Sequence, residues 1–243
     1  AKLYLSLGAK KENLIMVDSK GALSAERDDL DDNKKFFAVK TKVKTVEDAM
    51  KGADVFVGLS KGNIVTKQMV ASMAKNPIVF ALANPDPEIS YEDAVSARED
   101  VIIATGRSDH PNQVNNVLGF PFIFRGALDV RATQINEAMK LAAVYAIANL
   151  AKETVPEEVN LAYNQRNITF GKDYIIPKPI DSRLIYTVAP AVAKAAMESG
   201  VAQKKIPDWE AYKQELINRL GIDNKLIRTI TQKARHNPRR VVF

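Results

Sequence analysis

Four places in this sequence set a small, polar or acidic residue directly behind a short apolar run. Asp18 follows "NLIMV", Gly58-Leu59-Ser60 follows "ADVFV", Asn84-Pro85 follows "PIVFALA" and Gly106-Arg107-Ser108 follows "VIIAT". If those runs are strands of one open parallel sheet, the four places share its carboxyl edge, where such sheets bind ligands. Any one of them is also an ordinary turn residue, and only their recurrence on a single edge predicts a site.

The residue types narrow the chemistry. An acid at the end of an early strand, such as Asp18, can accept both hydroxyls of an adenosine ribose, although the same residue can simply cap a following helix. Lys20, two residues on, offers a cation to a ribose 2′-phosphate, which leaves NAD and NADP equally open. Asp18, Ser19, Lys20, Gly58, Ser60 and Asn84 are therefore the candidate cofactor contacts. Asn84 precedes "PDPE", where Pro85 and Pro87 restrict the backbone and favour an extended exit. An amide held there presents a donor and an acceptor at a fixed place, the alternative being an Asn-Pro turn. Other constellations are weak. His110 and His236 are the only histidines, too few for a His-based metal site or triad. "GRSDH" places Ser, Asp and His side by side, which is not triad geometry. The carboxylates at 26–32 and 86–93 read as solvated faces or caps.

These residues need elements to position them. "TVEDAMKGADVFVGLS" reads as a Thr45 cap with Asp48 three residues on, a short helix stopped by Gly52, then a strand at 54–57. "TKQMVASMAKNPIVFALANP" repeats the unit, with a Thr66 cap and a strand at 78–82. "SYEDAVSAREDVIIATG" repeats it again, with a strand at 101–104. "NLIMVD" (13–18) reads as a further buried parallel strand. Strands alternating with short helices predict an α/β fold, a Rossmann-like doubly wound parallel sheet covered on both faces and incomplete at the N-terminus, followed by C-terminal helices. From Ile135 to Leu150 apolar residues recur at helical spacing. Residues 170–184 should be extended and irregular. "IYTVAPAVAKAAMESG" and "DWEAYKQELINRLG" should be helices, stopped by Gly200 and Gly221, with Pro190 near the first turn or at a kink of the former.

Composition excludes several function classes. Among 243 residues there is no cysteine, which removes disulfides, thiolate nucleophiles and Cys-based zinc sites. The net charge of +6 resides in the last 43 residues, which hold ten Lys/Arg against four Asp/Glu. A basic nucleic-acid-binding body is thereby disfavoured. No apolar run reaches membrane-spanning length and no signal peptide opens the chain, so a cytoplasmic location is expected. The chain begins in helical rhythm without Met and ends as a β-branched run begins, which suggests a segment of a longer protein.

"LIMVDSKG", "GADVFVGLS", "PIVFALANPDPEI", "ATGRSDHPNQVNNVLGFPFIFRGALDVRAT" and "DYIIPKPIDSRLIYTVAPAVAKAAMESGVA" resemble the bacterial malic enzymes, in that order, over residues 1–215. The resemblance implies oxidation of malate with NAD(P)+ and decarboxylation to pyruvate, with Mg2+ or Mn2+, in a homo-oligomer. It makes Asn84 and Asn115 the amides that contact substrate and nicotinamide, in a loop that walls the malate site. It also implies that the catalytic Tyr and Lys, the metal ligands and the glycine fingerprint lie upstream, so that no catalytic residue or metal ligand is expected in this chain. The expected division is a cofactor-binding domain at 1–150, a helical and extended segment at 151–221, and at 222–243 a linker opening a phosphotransacetylase-like module. Another NAD(P)-dependent dehydrogenase, or a non-catalytic assembly module using the helix at 134–150, are the rival readings.

Overall fold

The structure, a computed structural model, describes residues 1–221, which fall into two compact units. One comprises residues 1–115 and 170–175, the other residues 116–169 and 176 onward. The expectation placed residues 1–150 together; the compact units divide at 115/116, and the helix that ends at Leu150 packs among the helices of its own unit. The expected phosphotransacetylase-like start at 222–243, His236 and whatever follows Gly221 lie outside the described residues.

The first unit opens with α1 (Lys2–Ser6) and a 3-10 turn at Lys11–Asn13, then β1 (Val17–Asp18) and β2 (Gly21–Ala22). After α2 (Asp32–Phe37) come α3 (Val46–Met50), β3 (Val55–Gly58), α4 (Lys67–Ala71), β4 (Ile78–Ala81), α5 (Tyr91–Ala97) and β5 (Ile102–Thr105). The last six form the expected repeat, each helix begun by a hydroxyl that accepts a backbone N–H of the first turn. Thr45 Oγ1 accepts from Asp48 N at 3.1 Å, Thr66 Oγ1 from Met69 N at 3.3 Å and Ser90 Oγ from Asp93 N at 3.1 Å. At Thr45 the Asp48 carboxylate answers at 3.0 Å, completing a capping box. The strands run parallel in the order β3-β4-β5, with Val57 opposite Phe80 and Phe80 opposite Ala104. Met50, Val65, Val70, Met73, Ile89 and Ala94 pack with Val79, Ala81 and Ile103 of the sheet. The other face is not closed at β3, where Val55 and Val57 are exposed, so coverage of both faces, as expected from the apolar runs, is not found there.

The run 13–18 is not a buried parallel strand. Only Val17 and Asp18 pair, antiparallel with Ala22 and Gly21, while Ile15, Met16 and Val17 are exposed. Two local contacts favour the hairpin. The Asp18 carboxylate accepts the N–H of Lys20 at 2.9 Å, an Asx turn that reverses the chain, and Gly21 follows at a φ of 114°, where a side chain would be strained.

The second unit contains a 3-10 turn at Asn116–Leu118, then α6 (Phe120–Asp129), α7 (Glu137–Leu150), α8 (Glu157–Ala162) and α9 (Arg183–Glu198), with residues 209–221 also helical. Its core joins Leu118, Met139, Ala143, Leu150, Leu184, Val188, Val192, Tyr212 and Leu216, so the apolar residues that recur along α7 contribute to the core. Pro190 lies inside α9 rather than in its first turn. Gly126 lets α6 approach α9: a Cβ there would stand 2.4 Å from the Ala189 carbonyl oxygen. Tyr212 donates to Asp129 at 2.7 Å, tying the 209–221 helix to α6. Among the described residues no helix is long and apolar enough to cross a membrane.

Candidate functional site at the strand ends

The β3–β4 ladder ends where Leu82 N donates to the Gly58 carbonyl at 3.1 Å. Beyond it the chains leave the sheet, and neither Ser60 N, which would face β4, nor Ala83 N, which by strand alternation would face β5, has a backbone partner. One side chain receives both. Glu88, fully buried, accepts from Ser60 N and from Ala83 N, each at 3.0 Å. It belongs to the 86–93 group of carboxylates expected to be solvated or capping, and for Glu88 that expectation is wrong: its aliphatic stem and carboxyl fill the space over Gly58. Ser60, which Glu88 holds directly, and Asn84, which follows the held Ala83, are exposed. At the next strand end, the Asn84 carboxamide stands 3.8 Å from where a Cβ on Gly106 would lie. Gly58, Ser60, Asn84 and Gly106 thus gather on one carboxyl edge, as their positions behind apolar runs predicted. Gly58 itself is buried, and its lack of a side chain serves Glu88.

The loop after β5 divides its amides between two tasks. Asn112, buried and at a φ of 54°, donates to the carbonyls of Ile103 at 3.1 Å and Lys172 at 2.8 Å, and accepts from Ile175 N at 2.8 Å. It fastens residues 170–175 beside β5 and uses its whole amide doing so. Asn115, three residues on, is exposed, and Asn116 opens the 3-10 turn of the other unit. Arg107 and Asp109 pair at 2.6 Å, and the guanidinium lowers the Asp109 pKa to about 2. Between this loop and residues 86–92 lies a cleft of about 340 Å3, lined by Asp86, Tyr91, Glu92, Arg107 and His110 among others, with the Tyr91 and His110 rings stacked at 4.8 Å. None of the candidate contacts named from the sequence lines this cleft.

Asp18, Ser19 and Lys20 sit on the β1–β2 hairpin, not on the three-stranded sheet. The Asp18 carboxylate is crowded. Arg27 donates to its two oxygens at 2.9 and 3.2 Å, Lys34 at 2.8 Å and Lys20 N at 2.9 Å. Four donors occupy the roughly four acceptor positions of a carboxylate. Arg27 first, then Lys34, hold its pKa far below the usual carboxylate range. Arg27 also binds Asp29, which Lys20 meets at 2.7 Å. A ribose hydroxyl would reach Asp18 only by displacing a donor, and Lys34 is the more exposed of the two cationic side chains. Neither Arg27 nor Lys34 was singled out from the sequence, where they lie in a run of charges that reads as solvent-facing.

Among the described residues no group of three or more His, Asp and Glu side chains is placed to hold a metal ion.

A family profile described as "Malic enzyme, NAD binding domain" matches residues 4–169. An NADP-dependent malic enzyme of Halomonas elongata is 57% identical over 206 residues, covering 85% of this chain and 49% of that protein. One from Rhizobium meliloti is 51% identical over 243 residues, covering 100% of this chain and 32% of that protein. The crystal structure of malic enzyme from Pyrococcus horikoshii aligns with a TM-score of 0.77 at 34% identity, covering 97% of this chain and 53% of that one. The chain spans about a third to a half of the length of these relatives.

Proposed function

Because this chain belongs to the malic enzyme family and its residues 4–169 match that family's NAD binding domain, we propose that it supplies the dinucleotide site of an enzyme that oxidises malate with NAD(P)+ and releases pyruvate and CO2. The observation that carries the proposal is the convergence of exposed Ser60 and Asn84 with Gly106 on the carboxyl edge of a parallel sheet. When bound, the dinucleotide would supply the hydride acceptor for this oxidation. This chain's own residues bind and orient. The Asn84 carboxamide offers a donor and an acceptor to the nicotinamide side of the cofactor and to substrate oxygens, and Asn115 does so for malate. Ser19 and Ser60 offer hydroxyls to the cofactor.

The crowding of Asp18 favours a phosphorylated ribose. A 2′-phosphate can take Lys34 and Lys20 from their carboxylates, replacing one anionic partner by another, whereas a neutral diol must compete with a cation for Asp18. The names of both relatives above, NADP-dependent malic enzymes, agree with this reading. A cytoplasmic homo-oligomer belongs to the same proposal and rests on the family resemblance alone. The other-dehydrogenase reading is set aside by the family match.

The test is steady-state kinetics of an enzyme carrying this chain, with malate, Mn2+ or Mg2+ and either dinucleotide, followed by absorbance of the reduced cofactor. Malate-dependent turnover that Asn84→Ala abolishes is expected. Full activity in that variant would overturn the placement of the site.

A further inference from the structure

We infer that Glu88 is a positioning residue that sets the separation of the β3 and β4 exits, and thereby the places of Ser60 and Asn84 in the dinucleotide site. The inference rests on the proposed function for its consequence, and on geometry for its cause. Parallel strands that bind ligands at their carboxyl ends must splay there, and splaying strips each chain of the hydrogen-bond partner it had inside the ladder. Water would normally repair the loss. Here a fully buried carboxyl does so, one oxygen on Ser60 N and the other on Ala83 N. Because both oxygens belong to one rigid plane, the two exits are held at a fixed span.

The surrounding chain is shaped for this side chain. A Cβ on Gly58 would stand 2.2 Å from Glu88 Cδ and 2.5 Å from its Oε1, so any larger residue at 58 displaces the carboxyl. The Glu88 backbone is fixed as well: its carbonyl accepts from Val65 N at 2.9 Å and that of Pro87 from Asn63 N at 3.0 Å. The 60–65 loop is therefore stitched to residues 87–88 by main chain on one side and by the Glu88 carboxyl on the other. Gly62 admits the same strand of chain, its Cβ position lying 2.7 Å from the Asp86 carbonyl oxygen. No part of this requires Glu88 to touch a ligand. It acts through Ser60 and Ala83.

A glutamine at 88 keeps the shape and one acceptor but turns a donor toward the second N–H, releasing one exit. An alanine releases both. Two measurements on an enzyme carrying this chain separate positioning from simple structural support. The first is amide hydrogen exchange. In Glu88→Gln, the Ser60 or Ala83 amide should exchange at least tenfold faster while Phe56 and Val79 within the ladder keep their protection. Unchanged protection at both Ser60 and Ala83 would overturn the inference whether or not the protein binds a dinucleotide. The second is NAD(P)H titration by fluorescence, with kcat and KM. Glu88→Gln should raise the dinucleotide KM about tenfold with kcat changed less, and Glu88→Asp, one methylene too short to span both exits, should not restore it. Gly58→Ala should mimic the defect in the wild-type background and add nothing to Glu88→Ala, whose vacated space accepts the methyl group. A folded Glu88→Gln enzyme with wild-type KM, or additive effects of Gly58→Ala and Glu88→Ala, would also overturn it. Absence of dinucleotide binding in the wild-type enzyme would instead refute the proposed function, leaving the exchange result to decide the role of Glu88.

Discussion

Arg27 grips Asp18 through both terminal nitrogens of its guanidinium group, at 2.9 and 3.2 Å, and Lys34 closes on the same carboxylate at 2.8 Å. A ligand arriving at the hairpin must therefore exchange with a partner already in place. Lys34→Ala removes a cation available to a 2′-phosphate and frees one acceptor of Asp18. It should weaken NADP+ roughly tenfold, within the 1–3 kcal/mol of a charged hydrogen bond, and leave NAD+ unchanged or tighter. Asp18→Ala should weaken NAD+ by a similar factor. Titration of both cofactors against both variants decides the matter, and equal shifts for NAD+ and NADP+ would remove the hairpin from the ribose site.

Asp100 gives the fold an acid-sensitive fastening. Arg98 meets both its oxygens at 2.8 Å, Asn76 N donates to it at 2.7 Å, and these contacts, the guanidinium first, lower its pKa to about 2. A carboxyl whose folded pKa is depressed contributes stability that is complete above its unfolded value of about 3.9. That contribution is lost as pH falls through about 2. Asp100→Asn should lower stability near neutrality and flatten its dependence on pH between those two values, as followed by circular dichroism during chemical denaturation. A variant whose stability falls as steeply with acid as the wild type would show that Asp100 is not the group responsible.

Asn115 and Asn116 are adjacent, yet they belong to different units and carry different expectations. Asn115→Ala in a malic enzyme carrying this chain should reduce kcat or raise the malate KM by roughly ten- to a hundredfold, the cost of about 1–3 kcal/mol for an unpaired substrate oxygen. Thermal stability should hold, since the side chain is exposed. Wild-type malate kinetics in this variant, alongside a disabled Asn116→Ala, would transfer the role to the second amide.

In the helical unit the tightest approach is between α6 and α9. A methyl group at Gly126 would meet the Ala189 carbonyl oxygen at 2.4 Å and Val192 Cβ at 2.9 Å, backbone and a β-branched side chain that have little room to withdraw. Gly126→Ala should cost about 1–3 kcal/mol, the usual range for overpacking a core. The intrinsic helix preference for alanine over glycine, up to about 1 kcal/mol, works in the opposite direction. A denaturation midpoint equal to or above that of the wild type would show that the two helices can separate without loss.

The elements legible in the sequence were those whose causes lie within a few residues. Thr45, Thr66 and Ser90 cap their helices through amides three positions away, Gly200 ends α9 at a φ of 74°, and each apolar run behind a capped helix became a strand of the parallel sheet. The gathering of Ser60, Asn84 and Gly106 on one edge followed, because strands of one direction put like ends together. What the tertiary structure decided depended on partners distant along the chain. Glu88 reads as one more surface acid until Ser60, 28 positions earlier, brings its N–H to it. Asn112 looks like one of several loop amides until residues 170–175 return to take up two of its three side-chain hydrogen bonds, the third going to Ile103. The run 13–18 has the composition of a buried strand, but strand pairing needs a neighbouring edge, and Asp18 turned the chain back on itself before one was met. Periodicity and capping are local and carry their own energetics, whereas burial of a polar group is favourable only once a remote segment supplies the partner, and no local pattern announces which segment that will be.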